Sequence, residues 1–574
     1  DGEAEAGAEA EGGVQVKAEM GFGFCEETES ERSTEAVTST FQAGGSMNLT
    51  ANNDINIEGA DLEADEINVD ANELNFTAAE NTSESTASSS SVDVSVEVTA
   101  TIIGAAGVSG EAGVGVELEN SDAASSEAVA GSISANNLNI RTREDANFEG
   151  TQVEAAESAN LNVGGDLNVT AAANTERESA DATSVEVNAE ASSSGEFAAD
   201  AAVGVSNEQS SSSEAVVATF NVGNLNVTTG GDANFEGTEV NATGQAALDV
   251  GGDLNVTAAA NTSQASSNSV DVEAGVEVGD GFDLSAEVDV AIESERSSEA
   301  VAGSFNVGGL DIRTGGDANF EGTQIESEGD ANLDVGGDLN FTAARTTESS
   351  SSLEVGVEAG IGDSSFNLGA EVGVGQFNSN QAEVGSLTSG GALNISTGGN
   401  ATFEGTELGA DEGIVLDAEG AVAFNEALST ETNMEVGVGL GFGSESEDEE
   451  DEESGETTTT STSTVSAGLS LDLSDDAQGQ GSEISGGSGG IVIRSGGDVT
   501  LQGSEFDQDV EIDAAGNVIE RALTDESSGF AMDIEVEAEF ESESTSGGDL
   551  EESEDSDERD ERDERDERDE LNES

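Results

Sequence analysis

The 574 residues carry 125 Asp and Glu against 14 Lys and Arg, for a net charge of −111, and lack His, Pro, Trp and Tyr. Without His, and with Cys25 as the single cysteine, the chain has no His-based catalytic triad, no His metal site, no internal disulfide and no Cys-rich zinc site. The clustered Lys and Arg that phosphate binding needs are missing, so no nucleic-acid partner is expected, and an anionic membrane surface would repel the chain.

The chain opens Asp1-Gly2-Glu3, with no initiator Met, basic segment or apolar run, and reads as a mature or partial chain. No stretch of 18 apolar residues is present, so no transmembrane helix and no membrane insertion are expected. Such a charge with 34% apolar residues suits disorder. The apolar residues, however, alternate in short runs bounded by Gly-Gly and Gly-Asp, which is a strand pattern.

After a partial arm at 1–40, one motif recurs. Gly315-Gly316-Asp317-Ala318-Asn319-Phe320-Glu321-Gly322-Thr323 has relatives ending at Gly59, Gly150, Gly237, Gly405 and Gly503. The spacings of these marker glycines are 91, 87, 85, 83 and 98. Six units follow, at 41–130, 131–216, 217–301, 302–385, 386–480 (with an acidic insertion) and 481–543, and then an acidic tail at 544–574. A second marker, as in Gly337-Asp338-Leu339-Asn340-Phe341-Thr342, sets Phe341 21 residues after Phe320. This shorter period, with apolar-polar-apolar triplets and Gly-rich corners, predicts an all-β parallel β-helix. In Leu310-Asp311-Ile312 the outer two side chains point inward and Asp311 points to solvent. Gly315-Gly316 is expected to supply positive φ at a corner. The absence of Pro suits an unbroken ladder.

About 50 residues separate the second marker of one unit from the first marker of the next. They open with Ser/Thr-rich runs such as 81–91 and continue as alternating segments. Val92 to Val98 with Val114 to Leu118, Val270 to Val278 with Phe282 to Val290, and Leu353 to Val357 with Phe366 to Val374 read as β-hairpins. Three of these arms close on Ser-Glu-Ala-Val, ending at Val129, Val216 and Val301. Because a lone hairpin is marginal in water, the arms are expected to pair along one side of the helix.

Thirteen of the fourteen basic residues are Arg, and carboxylates crowd the sequence, a composition that resembles proteins of extreme halophiles. The order of a Gly-Gly-Asp-Leu-x-Val-Thr-Ala-Ala coil, a Ser-rich alternating arm and Gly-Gly-Asp-x-x-Phe-x-Gly-Thr resembles the haemagglutinin repeats of filamentous-haemagglutinin-like exoproteins over about residues 40 to 540. That group includes two-partner-secretion adhesins and the stalks of contact-dependent inhibition proteins. The resemblance implies a right-handed parallel β-helix, an outer-membrane export partner, and adhesion or display at the cell surface through an unidentified receptor or glycan. No secretion domain or toxin domain of that family is recognised within these residues, so the chain reads as a segment of a longer exoprotein or an isolated repeat region.

No catalytic, cofactor-binding or metal site is expected, and the chain is not read as an enzyme. Gly486-Gly487-Ser488-Gly489-Gly490 matches a nucleophile elbow but has no His base. Val436 to Phe442, with alternating glycines, reads as an arm strand rather than a phosphate loop. The sequons at Asn48, Asn75, Asn81, Asn168, Asn226, Asn241, Asn255, Asn340, Asn394 and Asn400 read as stacked outward polar residues, with glycosylation as the alternative. No calcium-loop motif is present, and the acidic run 445–453 reads as a solvated tip, with weak diffuse cation binding as the alternative. The Glu-Arg-Asp triplets at 558–569 read as disordered or as a transient helix. Cys25 reads as an incidental thiol or an interchain crosslink. The competing readings of the whole chain are a β-helical polysaccharide-acting enzyme and a passive acidic, cation-binding surface layer.

Overall fold

The computed structural model describes residues 15–101, 107–279, 281–450 and 457–546. These residues form a parallel β-helix of three-strand coils with a sheet of hairpin arms along one side. The coil Gln324–Ser327, Ala331–Val335, Leu339–Thr342 shows the plan, each strand being short and alternately buried. On the third face, twelve such strands stack in one parallel sheet among the described residues, giving twelve coils, two per unit. At about 4.8 Å per strand the rod is about 55 Å long. The other two faces share one set of parallel strands, because long strands such as Ser39–Thr50 turn the corner at an irregularity between Ala43 and Ser46.

The 21-residue step is one coil: Ala318 pairs with Leu339 and Phe320 with Phe341. Inward positions carry Phe148, Phe235, Phe320 and Phe403, each at most 2% exposed, as the repeat requires. Ile57 and Leu501 take the same place in the divergent units and pack partly buried against the core. Phe320, Phe341, Phe403 and Phe424 form a column of stacked rings with centroid distances of 4.5, 5.7 and 5.0 Å. Leu310 and Ile312 are buried and Asp311 is not.

Outward positions stack too. Asn168 donates to Asn147, Asn234 to Asn168, Asn255 to Asn234, Asn319 to Asn255 and Asn340 to Asn319, at 2.8–2.9 Å. Each amide inside this ladder thus both donates to and accepts from a coil neighbour, which satisfies polar groups that stacking removes from water.

The corners correct one expectation. Positive φ belongs to the marker glycines, from +52° at Gly59 to +59° at Gly405, and not to Gly315-Gly316. Gly322, at φ +58°, turns the arm-less corner, and a Cβ there would lie 2.6 Å from Ala344 Cβ, where the arm of the next coil begins. The Gly-Gly pairs serve close approach instead. A Cβ on Gly315 would lie 2.3 Å from Gly251 O, and one on Gly316 would lie 1.9 Å from Asp253 Oδ1.

The arms leave from the corner between the third and first faces in every second coil. Five hairpins project: Ala79–Thr101 with Gly107–Val129, Ala172–Ser192 with Phe197–Val216, Ala259–Val278 with Phe282–Val301, Ala344–Gly362 with Ser365–Glu383, and Ala427–Glu450 with Thr457–Gln480. Gln15–Thr34 and Asp525–Ser546 add a single strand at each edge. Ser-Glu-Ala-Val ends the returning strand in the first three. The Ser/Thr-rich runs are strand as well, so the arms are longer than their alternating segments. Among the described residues all twelve arm strands join one antiparallel sheet. Two coils and two arm strands per unit rise by the same distance, so rod and sheet stay in step. The acidic run is strand as far as 450 and otherwise lies outside the described residues, as do the Glu-Arg-Asp triplets.

Candidate interaction surface

Register gives the arm sheet two unlike faces. Val185, Val203, Val272, Val288 and Val357 stand opposite one another on five successive strands. The neighbouring rows on these strands are Val187, Ala201, Ala274, Ala286 and Ala359 on one side and Thr183, Val205, Val270, Val290 and Val355 on the other, and strand alternation puts them all on one face. The face extends from Phe22 and Phe24 on the first strand to Phe530, Val536 and Phe540 on the last, all more than half exposed. It occupies the distal part of the first four arms, as in Val270 to Val278, and the middle of the longer fifth, where Val436 to Phe442 is followed by the Ser-rich and acidic 443–450. The part nearer the rod, such as 262–269, is Ser, Thr, Asn and Gln with one Ala.

The opposite face carries carboxylates and glycine. Glu287 stands between Glu273 and Glu358 on the flanking strands, and Asp271 stands opposite Asp289. Asp289, two residues along the strand, pushes the Glu287 carboxyl above its ordinary value, and desolvation, Glu273 and Glu358 add to this. Like charges directly opposite across strands repel. At the rod, burial raises the Glu149 carboxyl, with Glu80 contributing.

A third feature is an open trough across the arm bases, lined by hydroxyls such as Thr82, Thr175, Ser212 and Thr262 and reached by Arg177 and Arg296.

The motifs set aside in the sequence land as structural parts. Gly487–Gly489 is one turn of 3₁₀ helix, and Ser488 N–H and Oγ both contact Asp411 O, at 2.9 and 3.2 Å. Val436 to Phe442 lies within the arm strand Ala427–Glu450. Asn75, Asn168, Asn226, Asn241, Asn255, Asn340 and Asn394 donate to the Asn of a neighbouring coil, Asn48 accepts from Asn68, and Asn400 donates to Asp338. Asn81 ties an arm base to the preceding segment by accepting from Ala36 N–H at 2.8 Å. Cys25 is exposed and free. Among the described residues no group of three or more acidic or Cys side chains is placed to hold a metal ion, and no helix is long and apolar enough to cross a membrane. The two-faced sheet was missed at the sequence level. Each arm shows its own alternation, but only register shows that the apolar sides coincide.

The fold and its surface define a β-helical repeat protein with a laterally fused arm sheet. The chain belongs to the Hemagglutinin repeat family, which matches residues 20–185, 165–272, 255–350 and 342–440. It is similar to a Hemolysin of Serratia marcescens, 26% identical over 312 residues, covering 52% of this chain and 19% of that protein. It is also similar to a Hemolysin of Proteus mirabilis, 24% identical over 252 residues, covering 40% of this chain and 16% of that protein. The matched stretches thus span less than a fifth of either relative's length. No solved structure is a significant match.

Proposed function

We propose that the chain is a stalk or fibre segment of an exported haemagglutinin-repeat exoprotein, held at the cell surface for adhesion or display and without catalytic activity. The observation that carries this reading is the continuous stacking of twelve coils among the described residues, each built on the same three-face plan. A rod of constant section separates what it carries from its anchor. A β-helical enzyme instead needs a local exception to the repeat, with basic and aromatic side chains around clustered carboxylates. Export through an outer-membrane partner fits the likeness to two-partner-secretion adhesins. The receptor contact falls on the arms, where the hydroxyl-lined trough and Arg177 and Arg296 offer groups that a glycan could bridge.

The test is binding of the chain to immobilised host or kin cells, with and without the arms. Binding that needs the arms supports the reading. Binding equal to that of an unrelated acidic protein counts against it, and lysis of erythrocytes by the purified chain would assign a membrane-damaging role instead.

A further inference from the structure

The distal arm face is the largest exposed apolar surface in the described structure. On each of twelve strands about five apolar side chains stand on this face, with only the rows through Val185 and Val187 apolar from edge to edge, and together they make a band about 27 Å by 53 Å, on the order of 1,400 Å². Val272, Leu284, Val288, Val357, Leu368 and Phe442 are each 37–46% exposed within it. A contiguous face of this size on a soluble chain marks an interaction site.

We propose that this face docks on the same face of a second copy of the chain, forming a two-layer β-sandwich from two arm sheets. Four observations select a second copy. The face carries no charge between its edge strands, Glu26 on the first strand being a charge at its border, so a two-fold operation makes it self-complementary. Two such faces bury about 2,800 Å² together, within the range of obligate homodimers. Between the edge strands the carboxylates of the band, such as Glu273, Glu287 and Glu358, lie on the opposite face and remain in water. The apolar side chains also stop where the rods would begin to interfere. The strands are about 20 residues, as in Ala259–Val278, or about 65 Å long. Two sheets overlapping only by their distal halves, with arms pointing in opposite directions, keep their rods well apart. The two-fold axis then lies between the sheets and parallel to the rods, at the usual sheet separation of about 10 Å.

A bilayer fits less well. Among the described residues the sheet is open, its edge strands Gln15–Thr34 and Asp525–Ser546 each joining a neighbour on one side only, and hydrocarbon does not accommodate an open sheet edge. The straight rod holds the strand bases in a line and so prevents closure into a barrel.

The full chain, at about 2 M KCl to screen its charge, is measured by sedimentation equilibrium. Twice the chain mass of 57.7 kDa is expected. Combined Val288→Glu and Val357→Glu should weaken association by about 100-fold or more, since unpaired carboxylates would be buried. Glu287→Ser, on the other face, should leave association intact. Should the double variant lose strand content, a crosslink decides. In a Cys25→Ser background, Val288→Cys should give an interchain product with a short bis-maleimide, and Glu287→Cys should not. A monomer mass up to 100 µM, about the range where obligate pairs are fully formed, overturns the proposal. So does a dimer that folded Val288→Glu, Val357→Glu leaves intact. Flotation of a monomer with neutral phosphatidylcholine vesicles would overturn it as well and assign the face to lipid.

Discussion

Asp166 and Asp232 are 66 residues apart, yet Asp166 Oδ1 accepts the backbone N–H of Asp232 at 2.8 Å. One coil step together with one arm separates them in sequence, and the arm leaves the corner undisturbed. The same contact joins Asp145 to Asp166, Asp232 to Asp253, Asp253 to Asp317 and Asp317 to Asp338. Gly231 makes room for it, because a Cβ there would lie 1.9 Å from Asp166 Oδ1. Gly231→Ala should therefore cost about 1–3 kcal/mol, as overpacking does. The cost should shrink in an Asp166→Ala background, where the clash partner is gone. A double-mutant cycle by chemical denaturation checks this, with a coupling of about 0.5 kcal/mol or more expected.

Phe320 lies 4.5 Å from Phe341, ring to ring, and is 2% exposed. Phe320→Ala should cost about 3–5 kcal/mol. Since solenoid coils couple mainly to their neighbours, hydrogen exchange should rise first in the coils around 305–345 and only later at the ends. Uniform loss of protection along the rod would contradict this.

Salt should stabilise the chain. The folded coils and arms hold carboxylates closer together than an unfolded chain does, and few cations are present to pair them. Their repulsion reaches about 30 Å at 0.01 M salt and about 3 Å near 1 M. Circular dichroism melts should therefore show a midpoint that climbs between dilute buffer and about 1–3 M KCl, with the arms loosening first in dilute buffer. A flat or falling midpoint would argue against a charge-limited, halophile-type protein.

Glu287 and Glu149 both have carboxyls raised above the ordinary 4.5. A raised carboxyl favours the protonated fold. Its stabilising contribution is complete below about pH 4.5 and is lost as pH rises through the raised folded value. At pH 7 the ionised Glu287 therefore weakens the arm sheet. Glu287→Gln should raise the melting midpoint at pH 7 in low salt, and the gain should vanish below the ordinary carboxyl value. A gain that persists at pH 4 would point to a cause other than charge.

The rod was legible in the sequence because its signals are local. Phe320 and Phe341 repeat at 21 residues and Leu310-Asp311-Ile312 alternates, whereas positive φ was expected at Gly315-Gly316 and falls on the marker glycines instead. The hairpins were equally visible from Val270 to Val278 and Phe282 to Val290. The role of Gly315-Gly316 was not, because it depends on Gly251 and Asp253, residues in a different coil. The strand character of the Ser/Thr runs was hidden too, since Ser and Thr there owe their extended form to neighbouring arms rather than to their own propensity. Above all, the joint apolar face depends on Val203 meeting Val272 across two different hairpins, a register set by the rod.

That register is the most direct test of the whole account, because coils and arms must rise in step for it to exist. Ser206 and Ser269 stand opposite each other on adjacent hairpins. In a Cys25→Ser background, paired cysteines at 206 and 269 should oxidise to an intrachain disulfide in about 2 M KCl. Cysteines at 206 and 268 should not, since a one-residue slip puts the second thiol on the other face. Equal crosslinking of the two pairs, or none in either, would contradict a single arm sheet in step with its β-helix.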